Sequence, residues 1–194
     1  SIDYTGRWKA LHYQFKEAYQ NVALCVDQQE VYVVNDQMAA VNGEVRWQLF
    51  ALDGTPLNER QSVRVKVPAD QALKVLSLDA GKLHVSPATT YALVQLSLNG
   101  SPHAERVVFF TSLGKMKFES GEIRQELKSF GDHFELTLTS PTFCYGVHVT
   151  ETTGKEVKWS DNYFNLLPNV PKTIYGYYDG KLEDEPMVAV RCLR

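Results

Sequence analysis

GEVRWQLFALDG, residues 43–54, sets the reading of the whole chain. Val45, Trp47, Leu49 and Ala51 share one face of this segment, and Glu44, Arg46 and Gln48 share the other. Side chains alternate across a strand, so the segment reads as a strand with one face on a core and one in water. Asp53-Gly54 closes it with residues that tolerate positive φ. Working outward, strand candidates fall at 22–28, 30–34, 43–51, 61–67, 72–79, 91–98 and 104–111. Ala92, Val94, Leu96 and Leu98 repeat the same alternation, and Asn42-Gly43 and Asn99-Gly100 read as further turns. This many short strands, with a Trp on the third, predicts an immunoglobulin-like β-sandwich over 21–112. Trp47 is expected at its centre.

A second set of strand candidates lies near 115–119, 122–129, 133–139, 143–150, 156–159, 172–178 and 187–193. Phe134, Leu136 and Leu138 alternate with Glu135, Thr137 and Thr139. Phe143, Tyr145, Val147 and Val149 do so against Cys144, Gly146, His148 and Thr150. The expectation is a second, smaller sandwich over 113–194. No sequence repeat links the two sets.

Ahead of both, RWKALHYQFKEAY (7–19) has helical period, with Trp8, Leu11, Phe15 and Tyr19 at spacings of three and four. Neither sandwich needs a helix, and an apolar stripe must bury against something. Residues 1–20 therefore read as the last helix of a preceding domain, and the chain, which starts at Ser1 without Met, as part of a longer protein. The fold class is all-β: two immunoglobulin-like β-sandwich domains preceded by one short N-terminal helix.

Twenty basic against twenty-three acidic residues give a net charge of −3, which speaks against nucleic acid as a partner. The basic stretch Arg60 to Lys66 alternates with Val63, Val65 and Val67 and reads as the wet face of a strand. No apolar run has the length of a membrane span, so no membrane partner is expected. Cys25, Cys144 and Cys192 lack zinc-site spacing. A Cys144–Cys192 bridge and buried thiols both stay open, and so does the compartment.

Three segments resemble one family. SIDYTGRWKALHYQFKEAY (1–19) resembles the final helix of the catalytic barrel in β-mannosidases of glycoside hydrolase family 2. VVNDQ (33–37) with GEVRWQLFALDG (43–54) is similar to the first sandwich after that barrel. SDNYFNLLPNVPKT (160–173) is similar to the last sandwich, and it is the most specific match, favouring mannosidases over related β-galactosidases and β-glucuronidases. Asn169 stands where Gly is more usual and Asn165 where Asp is more usual. Asn tolerates the left-handed region, while any carboxylate role at 165 falls away. The resemblance implies a parent enzyme that cleaves terminal non-reducing β-D-mannose with retention, using two glutamates on the barrel. Both would lie upstream of Ser1, leaving this chain without catalytic, cofactor or metal residues, and with its own upstream barrel as partner. A periplasmic or secreted enzyme fits this resemblance, as does a cytoplasmic one.

The residues themselves offer few centres of chemistry. His12, His84, His103, His133 and His148 show no metal-site spacing. His148 and Cys144 alternate onto one strand face, which suggests either a metal pair or ordinary strand positions. Glu183-Asp184-Glu185 reads as a solvated turn, with loose calcium binding as the alternative. Asp161, Asn162 and Tyr163 beside Trp159 read as a turn or as a sugar-contact cluster. Tyr145, Tyr163, Phe164, Tyr175, Tyr177 and Tyr178 supply either core contacts or a platform for pyranose rings. The alternative to a scaffold is thus a carbohydrate-binding module pair with weak carbohydrate contact. Asn99-Gly100-Ser101 fits the glycosylation triplet, but Pro102 follows and Asn-Gly is a turn pair.

Overall fold

The computed structural model describes residues 2, 8–119, 121–154, 156–178 and 186–192, apart from the side chain of Glu17. The chain forms two compact units, 15–117 and 118–194, the second including residues 1–14. Helix α1, Ala10–Ala18, crosses that division.

The first unit contains β1 (Val22–Asp27), β2 (Glu30–Asn35), β3 (Val41–Ala51), β4 (Gln61–Val67), β5 (Gln71–Ser77), a single helical turn α2 (Ala80–Leu83), β6 (Thr90–Leu98) and β7 (Ser101–Phe109). They form two antiparallel sheets, ordered β1-β2-β5 and β4-β3-β6-β7. β3 pairs with β4 over 41–47 and with β6 over 43–51, Val45 lying opposite Val63 and Leu96. Val45, Leu49, Val94 and Leu96 sit at the centre of an aliphatic core with Leu24, Val31 and Val33 from the facing sheet. Trp47 departs from expectation: it is half-buried and packs on the margin of this core. It lies between the buried Val45 and Leu49 and opposite Val94, so its face is the expected one and only its burial falls short.

Asn42-Gly43 is not a turn either; it lies inside β3. A Cβ on Gly43 would sit 2.9 Å from the Ser97 carbonyl oxygen, so this glycine serves close approach of two strands. Asp53-Gly54 and Asn99-Gly100 do turn the chain, with Gly54 at φ 90° and the second pair at φ 51° and 81°. The buried Asn35, from VVNDQ, joins the sheets' ends. Its Nδ2 donates to the carbonyls of Ala39 and Pro68 at 2.9 and 2.8 Å, and its Oδ1 accepts the Gln37 N–H at 3.1 Å. A buried amide satisfied in this way is worth keeping, because an unpaired one costs about 1–3 kcal/mol.

The second unit contains β8 (Arg124–Phe130), β9 (His133–Thr139), β10 (Cys144–Glu151), β11 (Val157–Trp159), β12 (Phe164–Leu166), β13 (Lys172–Tyr178) and β14 (Val188–Arg191). Its sheets are ordered β11-β13-β9-β8 and β12-β10-β14. Residues 115–119, expected as a strand, instead finish a 3-10 turn at Leu113–Lys115 and run on without a ladder. The β10 alternation also breaks. An irregularity between Cys144 and Val147, with Gly146 at φ 61°, turns Cys144 inward beside Val147 and Val149. Cys144 is bonded to Cys192, just past β14, with their Cα atoms 5.7 Å apart.

Three cross-strand neighbours fill the middle of this core. Gly176 pairs with Phe134 on one side and Trp159 on the other. The Phe134 ring lies over the glycine, where any Cβ would collide with it, and meets Trp159 edge-on at 5.3 Å. Tyr13 of α1 joins the same core. The helix thus buries a residue off its apolar stripe, while Trp8, Leu11, Phe15 and Tyr19 remain 42%, 46%, 40% and 81% exposed.

Candidate functional site

The aromatic residues of the second unit fall in two places. The first is a cleft of about 400 Å³ with Trp8 and Tyr13 on one side and β10, β11 and Tyr163 on the other. Asn162 builds it. Its buried side chain mimics a strand, with Nδ2 donating to the Val149 carbonyl at 2.8 Å and Oδ1 accepting the Val149 N–H at 2.9 Å. That grip lets Tyr163 stand at φ 58°, a left-handed conformation that is costly for a bulky residue. Its ring then lies on His148, with centroids 4.6 Å apart and planes 14° from parallel. Asp161 accepts the Asn162 N–H at 2.8 Å and pairs with Lys172 at 2.7 Å. Of the residues weighed as a sugar-contact cluster, Asp161 and Asn162 are therefore engaged in holding the turn.

Electrostatics in the cleft follow from burial. The Tyr13 hydroxyl is pushed up to about 12, first by burial and then by the nearby Asp161 and Tyr163. Burial, with help from Arg191, holds His148 below its ordinary value. The charged lining is balanced, with Lys9 and Lys158 against Glu151 and Glu156.

The second place is the outer face of the sheet containing β13. Register aligns Lys158, Tyr177, His133 and Phe130 across four strands. His133 stacks on Phe130 at 5.2 Å and on Tyr177 at 5.9 Å. His133 is thereby flanked on both sides, while Phe130 and Tyr177 each give it one face and remain 46% and 47% exposed. Tyr175 stands beside them, 6.5 Å from His133.

The six aromatics weighed as one platform are therefore dispersed. Tyr163 is in the cleft, and Tyr175 and Tyr177 are on the outer face. Phe164 is buried with Lys172 over its ring, and Tyr145 stacks on Phe118. Tyr178 packs toward the core, its hydroxyl pushed up to about 12 by burial and Glu151. β10 and β13 belong to opposite sheets, which separates residues that look alike in sequence. Cys144 and His148 also part, one inward in a disulfide and the other outward on Tyr163. Among the described residues, no group of three or more His, Cys, Asp or Glu side chains is placed to hold a metal. Glu183, Asp184 and Glu185 lie outside the described residues.

Asn165 accepts the Gly146 N–H at 3.2 Å, so an amide oxygen does the work open to a carboxylate. Asn169 stands at φ 60° and donates its N–H to the Ser140 carbonyl at 2.7 Å. Sequence reasoning missed Tyr13 and Trp8 as neighbours of Tyr163 and His148. Helical spacing ranks the faces of a helix without naming what they meet.

Comparison with known proteins extends this picture. Residues 27–113 match the family described as Mannosidase Ig/CBM-like domain, and residues 118–191 match one described as Ig-fold domain. The chain is 31% identical over 112 residues to β-mannosidase A of Aspergillus flavus, covering 53% of this chain and 12% of that protein. Against β-mannosidase A of Emericella nidulans it is 23% identical over 217 residues, covering 99% of this chain and 23% of that protein. The crystal structure of β-D-mannosidase from Dictyoglomus thermophilum shares the fold, with a TM-score of 0.75 at 16% identity, over 99% of this chain and 24% of that one. This chain thus spans 12–23% of the length of these curated relatives. Both halves match in order, and the chain belongs with the Ig-fold domains homologous to the C-terminal region of glycoside hydrolase family 2-type β-mannosidases.

Proposed function

We propose that the two sandwiches are non-catalytic accessory domains that buttress the catalytic barrel of a β-mannosidase. In this reading the barrel lies upstream, carries the two glutamates, and releases terminal non-reducing β-D-mannose with retention. Residues 1–20 close that barrel, and 21–112 and 113–194 follow it. The observation that carries the reading is the ordered match of both halves to domains of proteins four or more times longer. The exposed Trp8, Leu11 and Phe15 support it, because an apolar stripe fits a surface that a neighbouring domain covers. The Cys144–Cys192 bridge favours an oxidising compartment, hence a periplasmic or secreted parent. The test is hydrolysis of an aryl β-mannoside. The chain alone is expected to show no turnover above background, and turnover that survives repurification overturns the proposal.

The second reading, a carbohydrate-binding module, draws on the aromatic cleft. Calorimetry separates the two. No heat of binding is expected with mannose, mannobiose or soluble mannan at millimolar ligand. Saturable binding abolished by Trp8→Ala, or by Tyr175→Ala, would instead establish the module.

A further inference from the structure

The chain contains two Asn-Gly pairs in opposite situations. Asn42-Gly43 is held inside β3, where Gly43 pairs with Val65 on one side and Leu98 on the other. Asn99-Gly100 is the two-residue tip of the β6–β7 hairpin. The ladder closes on Leu98 and Ser101 and leaves the pair outside it. Asn99 is exposed, and nothing approaches within 4 Å of where a Gly100 side chain would begin. The same crowding test puts a carbonyl oxygen 2.9 Å from the corresponding point on Gly43.

We propose that Asn99 is a site of spontaneous deamidation and that Asn42 is protected. The backbone nitrogen of Gly100 gives up its proton and attacks Cγ of the Asn99 side chain. The new C–N bond closes a five-membered succinimide, and the bond to the side-chain nitrogen breaks, releasing ammonia. Water then opens either carbonyl of the ring, leaving aspartate or isoaspartate at 99. No oxidant or reductant takes part; an amide is exchanged for a carboxylic acid at the expense of one water.

The reaction needs a nitrogen that can leave its planar, hydrogen-bonded place and a side chain with room to fold back on it. At the hairpin tip the pair lies outside the ladder, with open space beside Gly100. At Gly43 the attack first requires breaking pairs on both sides of β3, an inner strand of a four-stranded sheet. The product adds one negative charge to a chain of net charge −3. In the isoaspartate form it also inserts a methylene into a tight turn whose geometry depends on φ 51° and 81°.

Peptide mapping of the folded chain, aged in mildly alkaline buffer, tests this. Modification is expected at 99, with isoaspartate among the products and with at least about tenfold less at 42. The same incubation in denaturant should bring the two sites to similar rates. Asn99→Gln, whose longer side chain cyclises poorly, should remove the acidic form that accumulates on ion exchange. Equal reaction at both sites in the folded chain overturns the proposal. So does an inert Asn99 under conditions where the unfolded chain reacts.

Discussion

The two sandwiches reach the same architecture with different materials. The first has long ladders, with eleven residues in β3 and nine each in β6 and β7. Its core is mostly Val, Leu and Ala, with Phe110 in the buried cluster and Tyr91 buried beside it on β6. The second has strands as short as three residues at β11 and β12, and four at β14. It compensates with large rings, Phe134, Trp159 and Phe164, with Tyr13 from α1, and with a disulfide. The lesson is that ladder length and side-chain size substitute for each other. Where few backbone pairs align the sheets, burial concentrates in a few big groups.

This contrast can be broken at its most concentrated point. Phe134→Ala should cost about 3–5 kcal/mol, because it empties a fully enclosed site between Gly176 and Trp159. Trp47→Ala in the first sandwich, half-buried at the margin, should cost clearly less than that. Hydrogen exchange read peptide by peptide assigns each loss to its own sandwich. Equal costs would mean the two cores are built alike after all.

The next effect is covalent. Reduction of Cys144–Cys192, or Cys192→Ser, releases β14 from a ladder of four residue pairs. A loop of this length predicts a loss of about 2–4 kcal/mol in the second sandwich. Exchange in β1 to β7 should not change. If the amides of β14 stay protected after reduction, the short ladder is sufficient alone.

The smallest effect is set by pH. Burial lowers the His148 pKa from 6.5 in the folded chain, so the unfolded chain binds more protons at mildly acidic pH. Stability linked to this group is complete above that ordinary value and is lost as pH falls through it toward the lower folded value. The second sandwich should lose stability between roughly pH 7 and 5, above the carboxylate range, and the first should lose less. His148→Gln should flatten the difference. An unchanged pH profile in that variant would remove His148 as its source.

Much of the fold was legible because period-two alternation survives in β2, β9 and β13 and along parts of β3 and β6. Glu44 through Ala51 reads correctly by eye, and so does Phe134 through Thr139. What escaped has identifiable causes. The irregularity at Tyr145 and Gly146 shifts β10 by one residue, which turns Cys144 inward while His148 keeps its outward face, and joins Cys144 to a cysteine far along the chain. β12 has three residues, too few for any period to show. Gly43 in β3 has the same dipeptide signature as Gly100 in a turn, because glycine answers both to crowding and to positive φ. The cleft was half-readable: Trp159, Asn162 and Tyr163 are adjacent in sequence, but their partners Trp8 and Tyr13 arrive from the other end of the chain.

Gly176 carries one more consequence. It has no left-handed backbone to excuse it, and its only justification is the ring of Phe134 occupying its side-chain space. The two residues therefore form a single volume divided between two codons. Evolution or an engineer can redistribute that volume, with a smaller residue at 134 and an alanine or valine at 176, but cannot enlarge one share alone. Any lineage that crosses between the two solutions must pass through either a hole or a collision, and the hole, being the gentler of the two, marks the passable order of substitution.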